Sequence, residues 1–94
     1  MKKVQFKQIS QNETKFTLQG RGFILVEGSI GVYGLGRAVR LYGLDGFTKT
    51  FIKCVGWTKT DNHGGPSKDC ITSTITNFES CKQLAVVYLE NLLD

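Results

Sequence analysis

Basic and aromatic side chains are interleaved along residues 37–59, and together they suit the binding of an anion. Cationic groups pair with phosphates and aromatic rings stack on bases, so a surface that carries both can bind single-stranded nucleic acid. The candidate phosphate contacts are Arg37, Arg40, Lys49, Lys53 and Lys59, and the candidate stacking residues are Tyr42, Phe51 and Trp57. The pattern therefore predicts a ligand-binding surface for an anionic partner.

These residues are predicted to lie on a β-hairpin. β-branched and aromatic residues are frequent on both sides of the sequence Gly43-Leu-Asp-Gly46, which is typical of a tight turn between two strands. A turn centred on Leu44 and Asp45 places Arg40 directly opposite Lys49 on one face of the hairpin. Opposed like charges are unfavourable unless an anion lies between them, so this register favours anion binding.

The two faces of this hairpin differ in composition. The face predicted to pack in the core carries Val39, Leu41, Ile52 and Cys54, and the opposite face carries the basic and aromatic residues together with Val55. The alternative is that Phe51, Val55 and Trp57 belong to the core and that the lysines reach outward at its rim. A bulge or a three-residue turn would exchange the faces, because side chains alternate along a strand.

The charge of the chain is unevenly distributed. The 94 residues carry a net charge of +4. By segment, residues 1–36 contribute +3, residues 37–60 contribute +4 and residues 61–94 contribute −3. A basic segment followed by an acidic one favours an anionic partner for the basic part, with a solvated charged surface as the alternative.

The glycine-rich stretch Val32–Val39 is similar to the start of a dinucleotide-binding fingerprint but lacks its essential parts. Gly34 and Gly36 match the first two glycines, whereas Val39 stands where the third is needed. The hairpin that follows leaves no room for the helix whose amides bind pyrophosphate. No nucleotide cofactor is predicted, and the glycines instead predict a sharply curved sheet.

The histidine and the cysteines form no catalytic or metal-binding motif. Cys54, His63, Cys70 and Cys81 lack the closely spaced pairs that zinc sites use, and no catalytic signature surrounds them. We therefore predict no enzyme activity, metal or cofactor. Three cysteines suit free thiols in a reducing compartment and a cytoplasmic location, with one disulfide and one free thiol as the alternative.

The sequence around these residues predicts a single domain over residues 1–94. Alternating patterns at Val4–Ile9 and Lys15–Gln19 and the apolar run Phe23–Glu27 indicate strands, so residues 1–57 are predicted to form a β-meander. Residues 58–75 read as a polar loop with one short further strand. Residues 76–93 have helical spacing of apolar side chains, and Thr76 with Glu79 fits a capping box.

The predicted fold class is α+β. It comprises an antiparallel, strongly twisted sheet of four to five strands, followed by one C-terminal helix packed on one face. No apolar run in the sequence approaches the ~20 residues of a membrane span, so no membrane association is predicted. The edges of a small sheet and the Leu89, Leu92 and Leu93 side chains also predict a homodimer.

The resulting functional prediction is a small non-enzymatic binding protein for an anionic partner, most directly single-stranded nucleic acid. One alternative is an inhibitor or adaptor of the phage or mobile-element type, whose basic and aromatic face docks on an acidic host protein. Another is a protein that sequesters a small nucleotide through the glycine-rich backbone. Salt dependence of binding distinguishes the first of these from the others.

Overall fold

A computed structural model describes residues 4–29, 37–59, 70–72 and 75–93 of the chain. Within them, five antiparallel strands pair in sequential order and one helix follows. The strands are β1 (Phe6–Ser10), β2 (Glu13–Leu18), β3 (Arg21–Ser29), β4 (Arg37–Asp45) and β5 (Thr48–Lys59), and the helix is α1 (Phe78–Leu93). The predicted α+β class, the antiparallel sheet and the C-terminal helix are confirmed.

Strands β2 and β3 form one half of the hydrophobic core. In β2, buried Phe16 and Leu18 alternate with exposed residues, which is the pattern of a strand covered on one side. Three aromatic rings lie side by side on β1, β2 and β3. The ring centroid of Phe16 is 5.2 Å from that of Phe6 and 5.6 Å from that of Phe23. Aromatic pairs at these distances add about 0.5–1.5 kcal/mol beyond the burial of their area.

Helix α1 covers the β4–β5 half of the same face. Cys81, Ala85 and Leu89 recur at helical spacing and are fully buried, and they share one core cluster with residues of β2–β5. Asn77 caps the helix, because its Oδ1 accepts a 2.8 Å hydrogen bond from the Ser80 amide. The predicted start at Thr76 was therefore wrong by two residues, since α1 begins at Phe78.

The register of the β4–β5 hairpin differs from the prediction. Asp45 pairs with Thr48, so the turn is at Gly46-Phe47 rather than at Leu44-Asp45. Gly46 has φ +64°, a left-handed conformation that costs glycine little. Gly46 is the first of the two turn residues, and of these two it is the one with a positive φ. This pattern fits a type II′ turn, whose twist matches that of antiparallel strands.

Three bulges lengthen β5 relative to β4. The register shifts between Arg37/Ala38, Val39/Arg40 and Leu41/Tyr42, so nine residues of β4 pair along twelve of β5. Each bulge places two residues of β5 opposite one of β4 and increases the local twist. Side chains along β5 therefore do not alternate strictly between the two faces of the sheet.

The bulges reassign two residues of β5 to faces that the prediction had exchanged. Val55 is fully buried in the core with Val39 and Leu41, so its placement beside the lysines was wrong. Cys54 pairs with Arg40 and lies on the other side of the sheet, so its placement in the core was also wrong. We call the side covered by α1 the core face and the opposite side the outer face. Strand register assigns to the outer face Lys7, Glu13, Lys15, Thr17, Ile24, Val26, Ala38, Arg40, Tyr42, Leu44, Lys49, Phe51, Cys54 and Trp57.

The chain returns along the free edge of β5 before it enters α1. The amides of Ile71 and Thr72 donate hydrogen bonds to the carbonyls of Cys54 and Val55, at 3.0 and 3.2 Å. Further on, Ile75 forms an isolated parallel bridge with Trp57, where a short strand had been predicted. This contact covers the C-terminal half of β5. No helix in the described part of the chain is long and apolar enough to cross a membrane.

Candidate anion-binding site

Four of the eight predicted site residues line one pocket on the sheet. Arg40 on β4 and Phe51, Lys53 and Trp57 on β5 surround a cavity of about 470 Å³, which we call the Arg40 pocket. Its remaining lining residues are Ala38, Ile52, Cys54 and Cys70. Lys53 lines the pocket, although the register places it opposite buried Leu41, on the core-face side of the sheet. Arg40, Phe51 and Trp57 come together on the outer face, in a register different from the predicted one.

The bulges in β5 explain how these side chains come to share a face. Phe51 lies opposite Tyr42, Cys54 opposite Arg40 and Trp57 opposite Ala38. The spacing along β5 is three residues instead of two, because a bulge inserts one extra residue within each interval. A regular strand would have pointed Cys54 away from Phe51.

Two aromatic side chains form the exposed rim of this region. The rings of Tyr42 and Phe51 meet edge to face, with centroids 5.8 Å apart and an interplanar angle of 71°. Phe51 is 55% exposed, so a large part of the residue is accessible to a ligand. Edge-to-face packing leaves a ring face free for stacking, as base recognition requires.

Trp57 supplies a hydrogen-bond donor that is not used within the described chain. Its Nε1 is buried and has no hydrogen-bond partner. Buried polar groups are hydrogen-bonded in the great majority of cases, and an unpaired one costs about 1–3 kcal/mol. A ligand acceptor that reached this atom would offset that cost.

Two of the remaining predicted cations, Arg37 and Lys49, do not line the pocket. Arg37 is an odd number of residues from Arg40 in β4 and lies on the core-face side, where its Nε is 3.8 Å from Glu27 Oε1. Glu27 also accepts a hydrogen bond from Thr58 Oγ1. The backbone of Lys59 pairs with Arg37, and its side chain lies outside the described residues. Arg37 is thus partly neutralised and turned away from the outer face.

Lys49 has a protein partner instead of facing Arg40. Its Nζ donates a 3.1 Å hydrogen bond to Glu13 Oε2, and the two form an ion pair. The hydrogen bond and the charge of Lys49 lower the pKa of Glu13, with a smaller contribution from Ser10. The predicted opposition of Arg40 and Lys49 was wrong, because Lys49 pairs with Leu44.

Two further lysines belong to the outer face and were missed by the sequence reasoning. Lys7 of β1 and Lys15 of β2 are directly opposed in the register, and both are exposed. They line a second, larger cavity of about 940 Å³, which we call the β1–β2 groove. In the sequence, each of the two alternating segments has a lysine at a polar position, which indicates that both side chains are exposed. The sequence does not show that these lysines are neighbours, because that depends on the pairing of β1 with β2.

The cysteines differ from the favoured prediction. Cys54 and Cys70 form a disulfide, so free thiols at these positions were predicted wrongly and the disulfide alternative holds. Cys81 is a free thiol buried in the core, where burial, with a smaller effect of Glu27, raises its pKa to about 11. The described residues contain no group of three side chains suited to a metal ion. His63 and the glycines at 31, 34 and 36 lie outside the described residues.

Comparison with known proteins gives no functional assignment. No family model, curated protein sequence or solved structure matched the chain. Function is therefore inferred from the residues of this chain and from their geometry.

Proposed function

We propose that the protein is a non-enzymatic binding protein whose outer face binds single-stranded nucleic acid. The observation that carries the proposal is that Arg40, Lys53, Phe51 and Trp57 line one pocket. A cation in such a pocket neutralises a phosphate while a ring stacks on the neighbouring base. Each stacked base contributes about 1–3 kcal/mol without demanding a particular sequence.

The charge of the outer face supports an anionic ligand. Among the described residues, Glu13 is the one carboxylate that the register assigns to this face, and it is paired with Lys49. Lys7, Lys15 and Arg40 form no ion pair within the described residues. The face therefore has an excess of positive charge that an extended polyanion would neutralise along its length.

Fluorescence titration tests the proposal directly. Trp57 is the one tryptophan of the chain and lies in the pocket, so its emission reports on binding there. An oligothymidylate is expected to quench it at low salt, with affinity that falls steeply as salt rises. Arg40→Ala should lower the slope of log K against log salt by about 0.7, which corresponds to one lost phosphate contact.

A matched charge control separates pocket binding from general attraction. Arg21 is an exposed cation that pairs with Leu18, on the core-face side of the sheet, so Arg21→Ala removes one charge without touching the Arg40 pocket. It should weaken binding less than Arg40→Ala. No quenching and no binding at low salt, or equal losses in the two variants, would contradict the proposal.

A second function, docking on a protein as an inhibitor or adaptor of the phage type, is favoured by one observation. Phe47 lies at the β4–β5 turn and is fully exposed, although it is a large apolar side chain. Exposed aromatic residues of this kind serve as anchors in protein interfaces. If this is the function, Phe47→Ser abolishes capture of a nuclease-resistant partner and leaves oligothymidylate binding unchanged.

The proposed homodimer and the cytoplasmic location need separate measurements. Leu92 is 58% exposed and available to a second copy, whereas Leu89 is fully buried within the monomer. Light scattering after gel filtration measures the dimer. The Cys54–Cys70 disulfide weighs against a reducing compartment, and alkylation of the protein in intact cells reports whether these thiols are free there.

A further inference from the structure

We propose that the Cys54–Cys70 disulfide is a reactive site in the wall of the Arg40 pocket, where it exchanges with a small thiol that carries a carboxylate. The ligand class is an anionic thiol of low molecular weight, and the product is a mixed disulfide at Cys54. The proposal concerns the same pocket as the proposed function but does not depend on it, because the reaction requires no nucleic acid.

Both cysteines of the disulfide line the pocket that holds the cationic and aromatic side chains. Cys54 and Cys70 form part of its wall together with Arg40 and Trp57. Cys54 is half-buried, whereas Cys70 is only 8% exposed. Exchange begins when a thiolate attacks one sulfur of the disulfide, and its rate depends on access to that sulfur. A thiolate that enters the pocket is therefore expected to attack Cys54.

The strand order defines the side from which Cys54 is attacked. Cys54 lies between Arg40, its partner on β4, and residues 70–72, where the Ile71 amide donates a hydrogen bond to the Cys54 carbonyl. The bond from Cys54 to Cys70 therefore points away from β4. An attacking thiolate approaches along the S–S axis from the side opposite the leaving sulfur, so it reaches Cys54 over β4, on the outer face where Arg40 lies.

Arg40 and Trp57 supply donors that can hold the carboxylate of the ligand. Gly28, Ala38 and Trp57 are directly opposed across β3, β4 and β5. Arg40 Nη1 extends toward this row, since a Cβ at Gly28 would lie 3.9 Å from it. Within the described residues Arg40 forms no ion pair, and the buried Nε1 of Trp57 has no hydrogen-bond partner. A carboxylate accepts hydrogen bonds from both kinds of donor, and the bond from the charged guanidinium is the stronger.

The distance from this row to Cys54 restricts the shape of the thiol. Trp57 is three residues beyond Cys54 on β5, and the two occupy successive outer-face positions because of the bulge between them. Successive positions on one face of a strand are ~7 Å apart. The ligand therefore needs a short carbon chain between its sulfur, which reacts at Cys54, and its carboxylate, which binds beside Arg40.

The exchange step needs no added oxidant or reductant. The thiolate of the ligand forms a bond with Cys54 Sγ, the Cys54–Cys70 bond breaks, and its electron pair leaves with Cys70 Sγ as a thiolate. One disulfide thus replaces another. The Cys70 thiolate then takes a proton from water, or it attacks Cys54 Sγ and expels the ligand again.

The exchange rates of three small thiols test the proposal. Mercaptopropionate carries a carboxylate, mercaptoethanol is neutral and cysteamine is a cation. Rates are compared per thiolate and divided by those measured with hydroxyethyl disulfide, a neutral small molecule. At low salt the protein should prefer mercaptopropionate to mercaptoethanol by about fivefold, the factor for one charge pair at ~4 Å in water, and cysteamine should react slowest.

Peptide mass spectrometry identifies the sulfur that is attacked. After the reaction is quenched with acid and the free thiols are alkylated with iodoacetamide, the mercaptopropionate adduct should be on Cys54 and the alkyl group on Cys70. An adduct on Cys70 instead, or no exchange with any of the three thiols, would refute the proposal.

Two variants and a salt series assign the preference to Arg40. Arg40→Ala should abolish the preference for mercaptopropionate, whereas Arg40→Lys keeps the charge and should retain most of it. Arg21→Ala removes one charge outside the pocket and should leave the preference unchanged. In the wild-type protein, which needs no substitution, the preference should fall as salt rises, because salt screens the attraction.

The outcomes are separate from those of the oligothymidylate experiments. A preference that persists in Arg40→Ala, or one no larger than that of hydroxyethyl disulfide, would overturn the proposed exchange site and leave nucleic-acid binding as it stands. A protein that exchanges selectively with mercaptopropionate but binds no oligothymidylate would support the exchange site and refute the proposed function.

Discussion

The Lys49 ammonium lies 3.1 Å from the Glu13 carboxylate and joins β5 to β2 across two intervening strands. In a flat sheet these strands would be ~14 Å apart, and the two residues would also be offset along the strands. Their contact therefore requires the sheet to curve strongly toward the outer face along this diagonal, while α1 packs on the opposite face. A sharply curved sheet was predicted from the glycines, and this ion pair, between residues 36 apart in sequence, requires such curvature.

Removing the carboxylate of this ion pair is predicted to increase the affinity of the protein for an anionic ligand. Glu13→Gln removes the carboxylate that neutralises Lys49, so the outer face gains positive charge and affinity for oligothymidylate should rise by several-fold at low salt. Lys49→Ala should lower affinity, because it leaves the Glu13 carboxylate unpaired on the outer face. The double variant Glu13→Gln with Lys49→Ala removes both charges and should bind as the wild-type protein does, and a large loss of binding in that double variant would contradict this assignment.

The same pair gives a pH dependence of stability with a defined sign. Lys49 holds the pKa of Glu13 below its ordinary value of 4.5, so the folded state favours the ionised carboxylate. The stabilisation is present at neutral pH and is lost as the pH falls below 4.5 through the folded-state pKa. Urea unfolding of the wild-type protein and of Glu13→Gln should therefore differ at pH 7 and converge in acid, and a difference that persists in acid would have another cause.

Gly56 is predicted to be essential for the packing of β5 against the segment that leads into α1. A Cβ at this position would lie 2.8 Å from Thr72 Cγ2, 3.1 Å from Thr76 Cγ2 and 3.2 Å from Cys81 Sγ. Gly56→Ala should lower the free energy of unfolding by about 1–3 kcal/mol through overpacking. Gly22→Ala is the matched control, since its Cβ would meet Leu44 at an ordinary 3.6 Å, and equal losses in the two variants would contradict the steric explanation.

The sequence predicted the elements of this fold better than their register. Alternation around Phe16 and the helical spacing of Cys81, Ala85 and Leu89 are local signals, and each identified the correct buried residues. The bulges in β5 depend on how β4 pairs with it, which no local pattern records. For this reason Val55 and Cys54 were assigned to the wrong faces, and the turn was centred two residues too early.

In the candidate site too, residue types could be recognised in the sequence, whereas the positions that depend on strand pairing could not. Arg40, Phe51, Lys53 and Trp57 were identified by residue type, and the structure brings all four to one pocket. The Lys7–Lys15 pair was missed because it depends on the pairing of β1 with β2, although both residues are visible in the sequence. Arg37 was included on charge alone, and its position beside Glu27 follows from its place on the strand.

The Cys54–Cys70 disulfide is predicted to stabilise the fold through the loop that it closes. The two cysteines are separated by 16 residues, and cross-linking a loop of this size removes unfolded-state entropy worth about 3 kcal/mol. Urea unfolding with and without a reductant should show a loss of this order. The variant Cys54→Ser with Cys70→Ser should be equally destabilised and insensitive to the reductant, and an unchanged midpoint on reduction would contradict the prediction.

Reduction should also affect the Arg40 pocket, because Cys54 and Cys70 form part of its lining. Once the bond is broken, residues 70–72 lose a covalent attachment to β5 and keep the hydrogen bonds that the amides of Ile71 and Thr72 donate. We expect weaker binding of oligothymidylate under reducing conditions at temperatures well below unfolding. Binding that is equal in both redox states, with stability reduced, would show that the disulfide holds the fold but does not shape the pocket.

Cys81 is predicted to make the folded protein less stable in alkaline solution. Its thiol is fully buried, and its pKa is raised from 9.0 to about 11, so the unfolded chain loses this proton at lower pH than the folded one. Stability that is present below pH 9 should therefore decline between pH 9 and about 11, by at most ~1.4 kcal/mol per pH unit for this one group. Cys81→Ala should remove this component, measured as the difference between the two proteins in urea unfolding across that range. A parallel pH profile in both proteins would mean that other groups cause the decline, and rapid alkylation of Cys81 in the folded protein at pH 8 would show that the thiol is not buried as described.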